Sequence, residues 1–145
     1  MADVDIRAVR DEWVGRVFQE IDLVVDQHRM LEWAITAGET DPRFIDPEHP
    51  DFQASTAYPT HINAARMLPD DFPNLGERGI DGGKAVEWHR PMRAGDHLHA
   101  TVQIGDVYEK TGRSGTMVFI VNRMSFYDSE KRLVAEVDWR MIRST

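Results

Sequence analysis

The sequence predicts an α+β protein in which an antiparallel sheet wraps around helix, and three observations carry that prediction. The second half alternates in steps of two. Leu98, Ala100, Val102 and Ile104 interleave with His99, Thr101 and Gln103, and Leu133, Ala135, Val137, Trp139 and Met141 repeat the pattern. That is the signature of strands with one face buried. The first half instead carries Met30, Leu31, Ala34 and Ile35, a single apolar stripe at helical spacing. Between the halves, Glu39 to Gly83 is broken by Pro42, Pro47, Pro50, Pro59, Pro69 and Pro73. So long an irregular stretch in a small protein is usually a functional loop or a binding rim.

Each element has its own local reason. Val17 to Val25 mixes apolar and polar residues, as an edge strand does. Asp26 is an N-cap for a helix running to about Ala37, and Gly38 fits the left-handed position that closes it. Thr60 to Leu68 is predicted as a short helix, and Val86 to Arg90 as a short strand. Lys110 to Gly115 and Tyr127 to Lys131 are turns. Met117 to Phe126, apolar on both parities, is a central strand. The order is strand, helix, irregular region with a short helix, then three long strands in hairpin succession.

Composition sets the outer bounds. The 145 residues fit one domain, 1–145, and 41 % apolar content supports a packed core. With 25 acidic against 17 basic side chains the net charge is −8, which disfavours nucleic-acid and anionic-lipid partners. Cysteine is absent, so there is no disulfide framework, thiol nucleophile or thiolate metal site. Met117 to Val121, the longest apolar run, is too short to span a bilayer. The opening residues show no leader pattern. A soluble cytoplasmic protein is expected.

Several segments in the right order resemble the MaoC-like hydratase/dehydratase family, in particular its N-terminal-type, FAS1-like dehydratase domain. They are Trp13-Val-Gly-Arg16, Trp33 to Asp46, Ala57-Tyr-Pro-Thr60, Glu87 to Asp96 with its Arg-Pro and Gly-Asp, Gly112 to Phe119, and Leu133 to Ala135. The resemblance covers Val14 to Arg143. It implies a single hotdog fold, a bent antiparallel sheet around a central helix, with Thr60 to Leu68 as the core of that helix. It also implies chemistry on thioesters of CoA or acyl carrier protein, with water added to or removed from a 2-enoyl/3-hydroxyacyl pair. The CoA or phosphopantetheine enters as part of the substrate, and no separate cofactor is expected.

The family's catalytic motif is Gly-Asp-x-Asn-Pro with a His two residues after the Pro. Its Asp and His jointly hold a water so that one takes a proton as the other gives one. Alignment on Gly38 puts Glu39 at the Asp, Asp41 at the Asn and Phe44 at the His. A phenyl ring transfers no proton. Asp46, His49 and His61 lie nearby in sequence, so Glu39 or Asp41 with His61 is the fallback set. Turn chemistry is the ordinary reading of Asp41-Pro42, and a solvated charge after the helix end that of Glu39. His97 and His99 share a strand face beside Asp96, without a convincing third metal ligand.

The resemblance then implies a non-catalytic, substrate-accommodating subunit of a heteromeric enoyl-thioester hydratase or dehydratase. Its partner in trans is a dyad-bearing MaoC-like hotdog subunit, and its substrates carry bulky or long acyl groups. Residues expected to meet substrate are Phe44, Tyr58, Pro59, Thr60, His61, Trp88 and Arg93. Arg90, Arg93, Arg113 and Arg123 are candidate cations for CoA phosphates, and Trp88 and Trp139 candidate tunnel or interface residues. The alternatives are a self-sufficient homodimeric hydratase or thioesterase, and an acyl-thioester binding protein.

Overall fold

The computed structural model describes residues 4–144. Residues 1–3, where a leader would begin, and residue 145 lie outside the described residues. Strands β1 (Val17–Val24), β2 (Arg78–Trp88), β3 (His97–Gly112), β4 (Gly115–Tyr127) and β5 (Leu133–Ser144) form one sheet in the order β1-β3-β4-β5-β2. Every ladder is antiparallel. The three long strands follow one another through hairpins, as the alternation predicts, and β4 lies at the centre. Its inner-face residues, together with those of β3 and β5, are buried, among them Val102, Ile104, Ile120, Phe126, Ala135 and Met141.

Helices α1 (Ile6–Trp13), α2 (Gln27–Thr36) and α3 (Pro42–Ile45) complete the fold. Asp26 caps α2 by accepting from the Arg29 amide at 2.8 Å, and Gly38 closes it at φ +81°, both as expected. Helix α1 was not foreseen within the charged opening residues. Asp5 caps it, accepting from the Arg7 and Ala8 amides. Val9 and Trp13, one turn apart, bury against Ile104 and Val107 of β3.

Two expectations are corrected. Thr60 to Leu68 is not a helix: a 3₁₀ turn covers Tyr58–His61 and the chain then runs irregularly. The backbone groups a helix would pair internally are taken by side chains of the sheet. Lys84 Nζ donates to the Thr60 carbonyl at 2.8 Å, Asn122 Nδ2 to the Met67 carbonyl at 2.7 Å, and the Arg66 amide to Gln19 Oε1 at 3.1 Å. The place expected for that central helix falls instead to α2, whose Met30 and Ala34 are both 0 % exposed.

The second correction concerns β2, which begins at Arg78 rather than Val86. The Gly-rich stretch that reads as a loop is a bulge inside the strand, where the register shifts between Asp81 and Lys84. Asp81 Oδ1 accepts from the Gly83 amide at 2.8 Å. Gly83 sits at φ +86°, and a Cβ on Gly82 would lie 2.8 Å from the Arg140 carbonyl oxygen. Glycine is required there by contact with β5, not by a turn.

Candidate functional site

The 38–46 loop leaves α2 and carries the aligned motif. Its carboxylates are engaged locally. Glu39 Oε1 accepts from the buried Ser55 hydroxyl at 2.8 Å. Asp41 caps α3 by accepting from the Arg43 amide. It also holds the Arg43 guanidinium, with the closest contact at 2.7 Å. That hydrogen bond keeps the Asp41 carboxyl below the usual carboxylate range, which makes it a poor proton acceptor at neutral pH. Phe44 is buried in α3, its ring under the Arg43 guanidinium. Asp46 accepts from the Glu48 amide, and His49 Nδ1 from the Asp51 amide. Turn and cap chemistry therefore accounts for most of this loop.

His61 stands elsewhere. It lines a cavity of about 350 Å³ with Leu23, Val24, Val25, Asp26, Arg29, Tyr58 and Ile62, and neither Glu39 nor Asp41 reaches that wall. The fallback set is thus divided between two places. Tyr58 and Pro59 are buried at the 3₁₀ turn, while Thr60 donates to the Ala57 carbonyl at 2.7 Å.

The turn at Tyr58–His61 packs on β2, β5 and α2, and here lies the residue that sequence reasoning missed. Lys84 is half-buried. Its ammonium meets the Thr60 carbonyl and Asn63 Oδ1 and lies 4.7 Å from the Trp139 ring centroid. Burial pushes its pKa below the ordinary lysine value. The signal was present, because Lys84, Val86 and Trp88 alternate. Treating the preceding glycines as a loop hid it. Trp139 in turn donates its Nε1–H to Asp81 at 2.9 Å. Trp88 is 41 % exposed at the end of β2, at the free edge of the sheet.

The cationic candidates separate in the same way. Arg90 and Arg93 line one cavity of about 310 Å³ with Arg132 and His97. Arg93 is anchored by Asp51 at 2.7 Å and the Phe52 carbonyl at 3.0 Å. Arg123 is paired with Asp138 at 2.8 Å, and Arg113 is exposed in the β3–β4 turn. His99 contacts Asp22 at 2.7 Å and Glu20 at 3.2 Å, across the β1–β3 ladder. The residues whose ligand atoms converge within 4.8 Å are instead Glu87, His89 and Glu136, exposed or half-exposed beside the β2–β5 ladder.

The two carboxylates raise the His99 pKa by hydrogen bonding, Asp22 more than Glu20. A raised value means that this clamp on edge strand β1 is complete below about pH 6.5, the ordinary histidine value, and is lost as pH rises through the folded-state value. The melting-temperature gap between the wild type and His99→Gln is therefore expected to be widest near pH 6 and to narrow towards pH 9. A gap that stays constant or widens with pH overturns the assignment.

Among the described residues no helix is long and apolar enough to cross a membrane. The family model for the FAS1-like dehydratase domain region matches residues 12–137. A UPF0336 protein of Clavibacter michiganensis is 30 % identical, the match covering 68 % of this chain and 74 % of that protein. A second UPF0336 protein, from Streptomyces griseus, is 28 % identical over 72 % of this chain and 87 % of its own length. Among solved structures, the ChsH1–ChsH2 complex of Mycobacterium tuberculosis superposes with TM-score 0.68 at 18 % identity, covering 95 % of this chain and 88 % of that one. The HadBC (3R-hydroxyacyl-ACP dehydratase) complex of the same organism gives 0.66 at 18 % identity, over 90 % and 97 %. A MaoC-like dehydratase of Phytophthora capsici gives 0.68 at 19 % identity, over 93 % of this chain and 49 % of that longer one. The sheet around α2 is accordingly a hotdog fold, and the chain belongs to the FAS1-like dehydratase-region family of MaoC-like proteins.

Proposed function

We propose that this chain is the substrate-accommodating subunit of a heteromeric enoyl-thioester hydratase or 3-hydroxyacyl-thioester dehydratase, with catalysis supplied in trans by a hotdog subunit bearing the Asp–His pair. The observation that carries this reading is the 38–46 loop. Its two motif-aligned carboxylates, Glu39 and Asp41, are committed to Ser55 and Arg43, and a buried phenyl ring occupies the aligned histidine position. Proton transfer to and from adjacent carbons needs an acid and a base on one water. His49, the nearest imidazole in sequence, is engaged at Nδ1 by the Asp51 amide, and His61 lies in a cavity that neither Glu39 nor Asp41 lines.

The need for a partner has a physical basis. Strand β2 ends the sheet, so one row of its backbone groups is unpaired, and Ile80 and Trp88 on it are 51 % and 41 % exposed. Pairing with a second hotdog covers that edge and builds a cleft beside Trp88, Lys84 and the Tyr58–His61 turn. Two of the structural neighbours are components of two-protein complexes, which supports a partner of this kind. In the cleft, Trp88 offers apolar surface to a bulky acyl chain. Arg90 and Arg93, in the segment between β2 and β3, offer charge to the phosphates of CoA or phosphopantetheine, which arrive with the substrate.

The test is reconstitution with a hotdog subunit that carries the intact motif, followed by hydration of 2-enoyl-CoA at the thioester absorbance. The chain alone is expected to be inactive and the mixture active. Glu39→Ala in this chain should leave the mixture's rate nearly unchanged, and His61→Ala, at the wall of the cleft, should raise KM more than it lowers kcat, whereas removing a true acid or base costs about 10²–10⁴-fold in kcat. Activity of the chain alone, abolished by Glu39→Ala or His61→Ala, overturns the reading in favour of a self-sufficient enzyme.

A further inference from the structure

The apolar run Met117 to Val121 marks a central strand, but the helices and both core clusters cover only one face of it. On that inner face, Ile120 stands between Val107 and Met141. The outer face carries a second apolar row straight across the sheet. Tyr108 of β3 pairs with Phe119 of β4, Phe119 with Ile142 of β5, and Ile142 with Ile80 of β2. Directly opposed residues share a face. Tyr108 and Phe119 stack with centroids 4.9 Å apart and planes 4° apart, and Ile80 is 51 % exposed.

Farther along the strands the same outer face is polar and internally satisfied. Arg123 pairs with Asp138, and Ser125 donates to Glu136. The apolar character is therefore confined to one end of the face, where it forms a patch rather than scattered residues.

We propose that this stripe is a self-association surface that packs against the same stripe of a second copy of this chain, sheet on sheet, about a two-fold axis lying along the stripe. The sheet register chooses the axis. One row towards the hairpin tip stand Lys110 and Met117, and one row away from it Asp106 and Val121. A rotation about the stripe sets each of these rows on the other. Val121 meets Met117 of the second copy, Phe119 meets Phe119, and Asp106 meets Lys110. An axis along the strands would instead set Lys110 against Arg78, at the far end of the same row, which places like charges together.

The charges are placed for the first arrangement. The Lys110 ammonium already lies over the stripe, 5.8 and 5.4 Å from the Tyr108 and Phe119 centroids. Asp106 retains an exposed edge beyond its 3.2 Å contact with Arg10. Such an isologous contact needs self-complementarity, and aligned sheets interdigitate at about 10 Å separation. It engages the outer face and leaves the β2 edge free for a hotdog partner.

Sedimentation of the full chain tests this. Phe119→Lys and Lys110→Glu are each expected to halve the assembly mass at concentrations where the wild type is associated, with melting temperatures retained. The double variant Asp106→Lys with Lys110→Glu restores the opposite-charge contact and should recover the wild-type mass. Where Phe119→Lys fails to fold, Ile80→Lys at the exposed end of the stripe takes its place. Three results overturn the proposal: a wild type that is monomeric at every concentration, single variants that keep the wild-type mass, or a double variant as dissociated as Lys110→Glu. Enoyl-thioester activity plays no part in the readout, so these outcomes are independent of the proposed reaction.

Discussion

Phe126→Ala is expected to destabilise the fold by about 3–5 kcal/mol, the range for removing a buried aromatic ring. Phe126 is 0 % exposed on central strand β4, and its cross-strand neighbours are Ala100 on β3 and Ala135 on β5, both also 0 % exposed. One ring therefore fills the volume above three adjacent strands. Truncation leaves three small residues side by side on a ladder whose hydrogen bonds hold the strands about 4.8 Å apart. The backbone cannot close the gap, and the cavity persists. Against a total stability of about 5–15 kcal/mol, the variant loses a large share of its margin. Urea unfolding is the measurement, and a loss below about 1 kcal/mol would show that α2 or the 58–68 segment collapses into the space.

Lys84→Met carries the second-largest expected effect and bears on the site. Methionine keeps the apolar stem against Trp139 but deletes the donors to the Thr60 carbonyl and Asn63. Hydrogen bonds from a charged group contribute about 1.5–3 kcal/mol, so stability should fall within that range. The loss should be local. Amide hydrogen exchange should rise across Thr60 to Met67, whose backbone is tied down by Lys84, Asn122 and Gln19, while β3 and β4 stay protected. In the reconstituted pair, KM for a bulky enoyl thioester should rise more than kcat falls, because the proposed cleft has Lys84 on its wall. Uniform loosening of the whole sheet, or an unchanged exchange pattern, defeats this account of Lys84.

Legibility differed sharply between the sheet and the site. Strands β3, β4 and β5 were readable because each buries one face, so alternation in the chain records burial directly. Helix α2 was readable because Asp26 and Gly38 mark its ends with local chemistry. By contrast, Thr60 to Leu68 has helix-compatible residues whose carbonyls and amides are claimed by Lys84, Asn122 and Gln19. Those partners are distant in sequence, 24, 55 and 47 residues away. Glycines 79, 82 and 83 suggested a loop because a turn and a bulge ask for the same residue. Only the contact between Gly82 and Arg140 separates the two cases.

The sequence by itself determined the α+β class, the hairpin succession, the family resemblance and the phenylalanine at the aligned histidine position. All of these rest on residue identity or short-range periodicity, which the chain carries locally. Tertiary structure alone decided that Glu39 binds Ser55, that His61 faces a different cavity, and that Lys84 anchors the irregular segment. It also decided that the apolar run of β4 leaves one face uncovered. Those outcomes depend on pairings between residues far apart in sequence, and a pairing is settled by packing and register, which no local pattern records.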